Sequence, residues 1–205
     1  MSTDHKNVMA NVPINSTQFL LIIYFVFFLF VIHRIRFFNL QGIPFSFVGL
    51  AFLLKVAAGI LLGYVYLYYY KGGGDTFLYF KDGNTLNGFF FSQPADYFKI
   101  LAGLHPENEY FRSNYFNRLY FWYNNHFDFF FSDSRIIVRI NSLFRFFSFG
   151  VYNVHVIFFS FLSFTGLTAL YRAFSQLIKG NHKIFYVLIF LLPSVAFWGS
   201  GVMKE

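Results

Sequence analysis

The chain has 205 residues, of which 57% are apolar, 25% aromatic and only 12% charged, about half the charged share that is usual in soluble domains. This composition excludes a soluble globule and a disordered tail, and the lack of cysteine excludes a disulfide scaffold and a zinc–thiolate module. The net charge of +7 comes from basic residues between apolar runs, which is typical of membrane-flanking charges and argues against nucleic acid as a partner. The sequence predicts an all-α membrane protein whose first partner is the lipid bilayer.

Four apolar segments approach the roughly 20 residues that a membrane-spanning helix needs. In chain order they cover residues 17–32, 45–70, 152–171 and 184–198. The second segment contains one charge, Lys55, which either extends toward the membrane interface or faces an internal polar cavity. The pattern predicts a single integral membrane domain over residues 1–205 with four transmembrane helices.

The charges of the short connections predict the orientation. Residues 33–42 and 172–183 carry basic side chains and no acidic one, so the positive-inside rule assigns both connections to the cytoplasm. The N-terminus and the long segment 71–150 are then external. We expect a multi-pass protein with an external N-terminus.

The external segment contains several predicted elements. Lys71–Gly74 reads as a hinge, Lys81–Gly88 as a polar turn, and Gln93–Gly103 as a short amphipathic helix. Residues 110–131 mix aromatic side chains with Asn and Arg, which is typical of a segment at the membrane interface.

Residues 135–149 predict an amphipathic helix with an arginine face. At 100° per residue one arc of about 120° collects a set of polar side chains, while Ile and Phe side chains fill the opposite side. The polar set is Arg135, Arg139, Ser142 and Arg145. Two interpretations follow: the arginines anchor the helix among lipid headgroups, or they bind a lipid phosphate, because guanidinium groups match phosphate oxygens bidentately.

Asp75 is a candidate general base. It follows three glycines directly after the second apolar segment, and the flexible backbone could aim its carboxylate at a reacting group. The alternative is that Gly-Gly-Gly-Asp only ends a helix and turns the chain.

Cofactors are not predicted by any motif. His105 and His126 share the external segment with carboxylates, but neither His-x-x-x-His nor Glu-x-x-His spacing occurs. We therefore expect no cofactor, with a divalent metal left open.

The last thirteen residues contain the most specific motif. Pro193 and two glycines interrupt an apolar segment, which Lys204 and Glu205 follow directly. Because the chain stops with no closing polar segment, we expect the sequence to be the N-terminal fragment of a longer protein.

This ending resembles a Pro-x-x-x-Phe-Trp-x-Ser-Gly-x-x-Lys-Glu pattern of bacterial polytopic glycosyltransferases of the GT-C type, relatives of the dolichyl-phosphate-mannose–protein mannosyltransferases. The matching positions are Pro193, Phe197, Trp198, Ser200, Gly201, Lys204 and Glu205. A second similarity is the stretch from Gly74 to Tyr79, since the family keeps a catalytic carboxylate in its first long external loop. Two departures stand beside it: the family usually has eight or more spans, and its acidic loop often follows the first one.

The resemblance implies transfer of a sugar from a polyprenyl-phosphate donor to an acceptor glycan, lipid or protein at the external face of a bacterial inner membrane. Asp75 would be the general base. The residues implied to bind the donor phosphate are Arg135, Arg139, Arg145 and Lys204. The residues implied to line the cavity are Lys55, Tyr79, Trp198, Ser200 and Glu205.

Two other functions stay open. A cell-envelope polysaccharide polymerase or ligase would depend on the arginines more than on a single acid. A non-enzymatic membrane subunit or transporter would use Lys55 along its pathway.

Overall fold

The computed structural model describes residues 14–70, 74–104, 108–123, 133–177 and 180–203. All regular elements in these ranges are helical, and no strand occurs among them. Ten α-helices follow in chain order: α1 Ile14–Arg34, α2 Phe45–Tyr68, α3 Gly74–Ser92, α4 Pro94–Ala102, α5 Glu109–Asn114, α6 Tyr120–Tyr123, α7 Asp133–Ser148, α8 Tyr152–Leu177, α9 His182–Phe190 and α10 Pro193–Trp198. Short 3₁₀ helices lie at Arg36–Phe38 and Phe116–Arg118.

Among the described residues, two helices, α2 and α8, are long and apolar enough to cross a membrane. They match the second and third predicted spans. The prediction of four spans is not confirmed. The apolar part of α1, Gln18–Arg34, falls just short of that length, and the fourth segment is broken between α9 and α10. The break follows from Pro193, which starts a new helix and cannot continue the previous one.

The chain divides into two compact units. The first unit combines the residues up to Gly72 with Val156–Gly201, and the second comprises Gly73–His155 together with residues 202–204. The first unit has an apolar core in which aromatic rings of α1, α2, α8 and α9 pack together. For example, Phe52 contacts both Phe25 and Phe164.

The second unit is built on the pair α3 and α7, which pack side by side in the same direction. Tyr79 of α3 contacts Ser134 near the start of α7, and Asn87, two turns later, donates to the carbonyl oxygen of Ser142. Gly83 lies between these contacts, directly against Asn141, because it has no side chain to separate the two helices. The N-termini of α3 and α7 therefore lie at the same end of the pair.

The predicted polar turn at Lys81–Gly88 is wrong, because these residues continue α3 without a break. The polar side chains of this segment are typical of an exposed turn, but Asp82 and Asn87 are buried and hydrogen-bonded inside the second unit. The predicted helix at Gln93–Gly103 is confirmed: Pro94 stands in its first turn, and Gly103 ends it with a left-handed backbone, φ 74°. The predicted hinge lies outside the described residues except for Gly74, which starts α3.

Candidate functional site

The arginine face of α7 points into the second unit. Arg135 and Arg139 are buried, with 5% and 8% of their surface exposed, while Ile136, Leu143 and Phe147 on the other side are exposed. The sequence grouped these arginines correctly on one face. The interpretation that this face anchors the helix among headgroups does not hold for Arg135 and Arg139, because both pack against the protein interior.

Trp122 covers the two guanidinium groups. Their central carbons lie 5.5 Å and 5.7 Å from the centre of the Trp122 ring system, within the range of cation–π attraction. The indole is itself buried and stacks on Phe116. Two positive charges on successive turns of one helix thus share one aromatic wall.

Asp82 holds this wall in position. Its two carboxylate oxygens accept hydrogen bonds from the backbone N–H groups of Tyr120 (3.0 Å) and Phe121 (2.9 Å), at the start of α6. Burial raises the pKa of Asp82 from its ordinary value, against these two hydrogen bonds and the charge of Lys81, which lower it. The carboxylate binds the N-terminus of the four-residue helix that carries Trp122 and fixes where the indole lies.

Three buried N–H groups at this cluster have no hydrogen-bond partner among the described residues. They are Nε and Nη2 of Arg139 and Nε1 of Trp122. The pKa of Arg139 is lowered, first by burial and then by the charge of Arg135. A buried donor without a partner costs about 1–3 kcal/mol, and more when it is charged. An anion bound here would satisfy these three donors.

Asp75 lies at the same end of the α3–α7 pair as Arg135. Its side chain is exposed in the first turn of α3, next to Thr76, which is buried and hydrogen-bonded to the Tyr152 hydroxyl at 2.7 Å. One turn further along, the Tyr79 hydroxyl lies 3.1 Å from the Ser134 hydroxyl, next to Arg135 in sequence. Gly74, the residue before Asp75, has φ 51°, a conformation that favours glycine.

Of the other predicted site residues, Tyr79 and Arg145 belong to the second unit. Tyr79 is 2% exposed and stacks on Phe121, so it packs in the core of the second unit. Arg145 is half-buried near the turn after α7, where its guanidinium lies against Gly150. Lys55, Trp198 and Ser200 belong to the first unit, and Lys204 and Glu205 lie outside the described residues.

Lys55 forms the polar centre of the first unit. It is 3% exposed in the middle of α2, and its ammonium group donates one long hydrogen bond, 3.4 Å, to the carbonyl oxygen of Val195 in α10. Ser200, five residues after Val195, is fully buried, and its carbonyl oxygen accepts a hydrogen bond from the Ser160 hydroxyl. Trp198 is 43% exposed.

The structure contains a buried row of hydrogen bonds through Ser, His and Asn side chains that the sequence did not predict. The Ser148 hydroxyl lies 2.6 Å from Nε2 of His155, and Nδ1 of His155 lies 2.8 Å from Oδ1 of Asn141. Because the Asn141 amide nitrogen donates to the Ile137 carbonyl, its oxygen faces the ring, so Nδ1 carries the proton and Nε2 accepts from Ser148. All three side chains have no exposed surface, so the row joins α7 to α8 and cannot reach a substrate.

Metal ligands do not come together in the described residues: no three His, Asp or Glu side chains form a group there. His105 and His126 lie outside those residues. No protein-family model, curated protein or solved structure matches the chain.

Proposed function

We propose that this chain is part of a membrane glycosyltransferase that moves a sugar from a polyprenyl-phosphate donor to an acceptor at the external membrane face, with Asp75 as the general base. The proposal includes the placement of α2 and α8 across the membrane. The observation that carries it is the buried pair of Arg139 and Trp122 beside Arg135. Nε and Nη2 of Arg139 and Nε1 of Trp122 have no hydrogen-bond partner among the described residues, and such donors suit an oxyanion. The shared end of α3 and α7 supports a common site with Asp75.

In this mechanism the Asp75 carboxylate takes the proton of the acceptor hydroxyl as its oxygen attacks the anomeric carbon. The bond from that carbon to the phosphate oxygen breaks, and the polyprenyl phosphate leaves with the bonding electrons. Arg135 and Arg139 stabilise the charge on the phosphate because their donors are fixed in a water-poor site before the reaction. A single displacement of this kind inverts the anomeric configuration.

The test is Asp75→Asn in the full-length protein, assayed by release of polyprenyl phosphate from a panel of polyprenyl-phosphate-linked hexoses. Loss of the general base should lower turnover by roughly 10²–10⁴-fold while donor binding persists. Glu109→Gln is the matched control, since Glu109 is also an exposed carboxylate in the first turn of a helix of the second unit. Turnover at the wild-type rate in Asp75→Asn would remove Asp75 from the mechanism.

The phosphate contact has its own test, Arg139→Gln. We expect weaker donor binding, by about 10-fold or more, because each charge-assisted hydrogen bond contributes roughly 1.5–3 kcal/mol. Trp122→Phe keeps the aromatic wall and removes only one N–H, so it should weaken binding less. If Arg139→Gln abolishes transfer while Asp75→Asn retains it, the polymerase or ligase interpretation is favoured.

A non-enzymatic transporter is the second candidate, and the environment of Lys55 favours it. The Lys55 ammonium group lies in an apolar helix and has one long hydrogen bond to a backbone carbonyl of α10, which follows the helix break at Pro193. A charged side chain within a membrane-spanning helix indicates a functional position by default. Under this function Lys55→Met abolishes transport and Asp75→Asn has no effect.

A further inference from the structure

A cavity of about 250 Å³ lies in the first unit where α1 ends and α2 begins. Its polar lining comes from His33, Arg34, Arg36 and Asn39, and the rest is apolar, including Ile32 and Val48. This volume is below the roughly 300–1,000 Å³ of pockets for drug-sized ligands, so it suits a headgroup and not a whole lipid.

The basic side chains at this cavity have no counter-charge among the described residues of their own unit. Arg34 and Arg36 are exposed, and the guanidinium of neither forms an ion pair or hydrogen bond with a described residue. The sequence contains no Asp or Glu at all in residues 14–72 and 156–201.

The cavity is also held in shape from a second side. Arg172 of α8 donates to the backbone carbonyls of Arg36 and Phe37, and the Tyr171 hydroxyl donates to the Gln41 carbonyl at 2.8 Å. The backbone of the connection between α1 and α2 is therefore fixed against α8, so the floor of the cavity is held in place before a ligand binds.

We propose that this cavity binds the phosphate headgroup of an anionic phospholipid, with Arg34 and Arg36 contacting the phosphate and the apolar wall contacting the start of an acyl chain. Juxtamembrane basic pockets between helices recognise anionic lipids in this way. The proposal rests on the membrane placement of the first unit in the proposed function and is independent of the transfer chemistry assigned to Asp75.

The test measures lipid binding to the full chain in detergent by native mass spectrometry, with phosphatidylglycerol and phosphatidylcholine of identical acyl chains as probes. Wild type should bind phosphatidylglycerol more tightly. At about 1 kcal/mol per basic side chain, the double variant Arg34→Gln/Arg36→Gln should bind it roughly 30-fold more weakly. Arg112→Gln, which removes an exposed arginine of the second unit, is the matched control and should change nothing.

A second variant separates the cavity from general surface charge. Ile35→Trp keeps both arginines and fills the cavity from a half-exposed lining position, so it should also weaken phosphatidylglycerol binding. Unchanged binding in the double variant, or in Ile35→Trp, overturns the proposal.

Inorganic phosphate is the third arm. If phosphate alone displaces the lipid at concentrations close to the lipid's own Kd, the site recognises free phosphate, and the lipid assignment fails. A wild-type chain that stays monodisperse in water without detergent and takes up neither lipid would instead contradict the membrane placement, and with it the proposed function.

Discussion

Single side chains in the second unit have roles that their neighbours in sequence do not reveal. Asp82 is an example: it lies in the middle of α3, and its partners are backbone N–H groups almost forty residues later. By fixing α6 it fixes Trp122, and by fixing Trp122 it sets the wall against which Arg135 and Arg139 pack. A carboxylate in the middle of α3 thus determines the geometry around the buried arginines.

Asp82→Ala should destabilise the protein by about 1–3 kcal/mol, because the buried N–H group of Phe121 and the partly buried one of Tyr120 lose their acceptor. The measurement is the free energy of unfolding by denaturant titration. Lys81→Ala is the control, since Lys81 is the exposed neighbour on the same helix and should change stability little. Equal stability of both variants would mean that the start of α6 is held by other contacts.

The pH dependence of stability should depend on Asp96. The ammonium of Lys99, then the hydroxyls of Tyr110 and Tyr115, donate to its carboxylate, and these bonds hold the pKa of Asp96 below its usual range despite burial. A depressed folded pKa gives stability that is complete above the unfolded value of about 3.9 and is lost as pH falls through the folded value. The loss should begin near pH 5 and continue downward.

Thermal midpoints between pH 7 and pH 3 for wild type and Asp96→Asn measure this effect. The variant should be less stable at pH 7 and lose less on acidification. The raised pKa of Asp82 acts in the opposite direction, but it is present in both proteins and cancels in the comparison. Parallel curves for the two proteins would show that Asp96 contributes no pH dependence.

At the scale of elements, close packing of α3 on α7 defines the second unit. A Cβ atom at Gly83 would collide with Asn141, whereas Gly88, also inside α3, has open space around its Cβ position. Replacing each of these two glycines with alanine should therefore change the free energy of unfolding in opposite directions.

Gly83→Ala should destabilise the protein by about 1–3 kcal/mol through overpacking. Gly88→Ala should stabilise it by up to about 1 kcal/mol, because alanine favours the helix and meets no neighbour. Denaturant unfolding of both variants checks the pair, and a stabilised Gly83→Ala would contradict the observed helix contact.

The elements also show what one sequence can predict. The helix from Pro94 to Gly103 and the arc of arginines on α7 follow from local rules, since a proline start, a glycine end and a 100° repeat need no partner. The continuity of α3 through Lys81–Gly88 could not be predicted, because it depends on burial of Asp82 and Asn87 against distant residues. For the same reason the Asn141–His155–Ser148 chain has no sequence signal: its members are joined across the turn at Phe149 and Gly150, both with positive φ.

At the scale of the whole molecule, orientation in the membrane stays a prediction, and the lack of native cysteine makes it testable. Single cysteines at Asn114 and Gln41 are suitable probes because both positions are exposed. With a membrane-impermeant maleimide on intact cells, Asn114→Cys should label, and Gln41→Cys should label only after permeabilisation. The reverse pattern would place Asp75 and the arginine cluster on the cytoplasmic side.

The two faces of α7 bear on how such a protein can be handled. Ile136, Leu143 and Phe147 point outward, while two arginines of the same helix point inward. The usual assumption that apolar side chains are buried and charged ones exposed would therefore assign the two faces of α7 the wrong way round. Replacing those three outward residues with lysine or glutamate, as is commonly done to ease purification, would remove the apolar face of α7 and leave Arg135 and Arg139 in the interior unchanged. A version of the chain made water-compatible in that way would keep its buried arginines and, if the proposed function is right, would lose the contact surface for a substrate that stays in the bilayer.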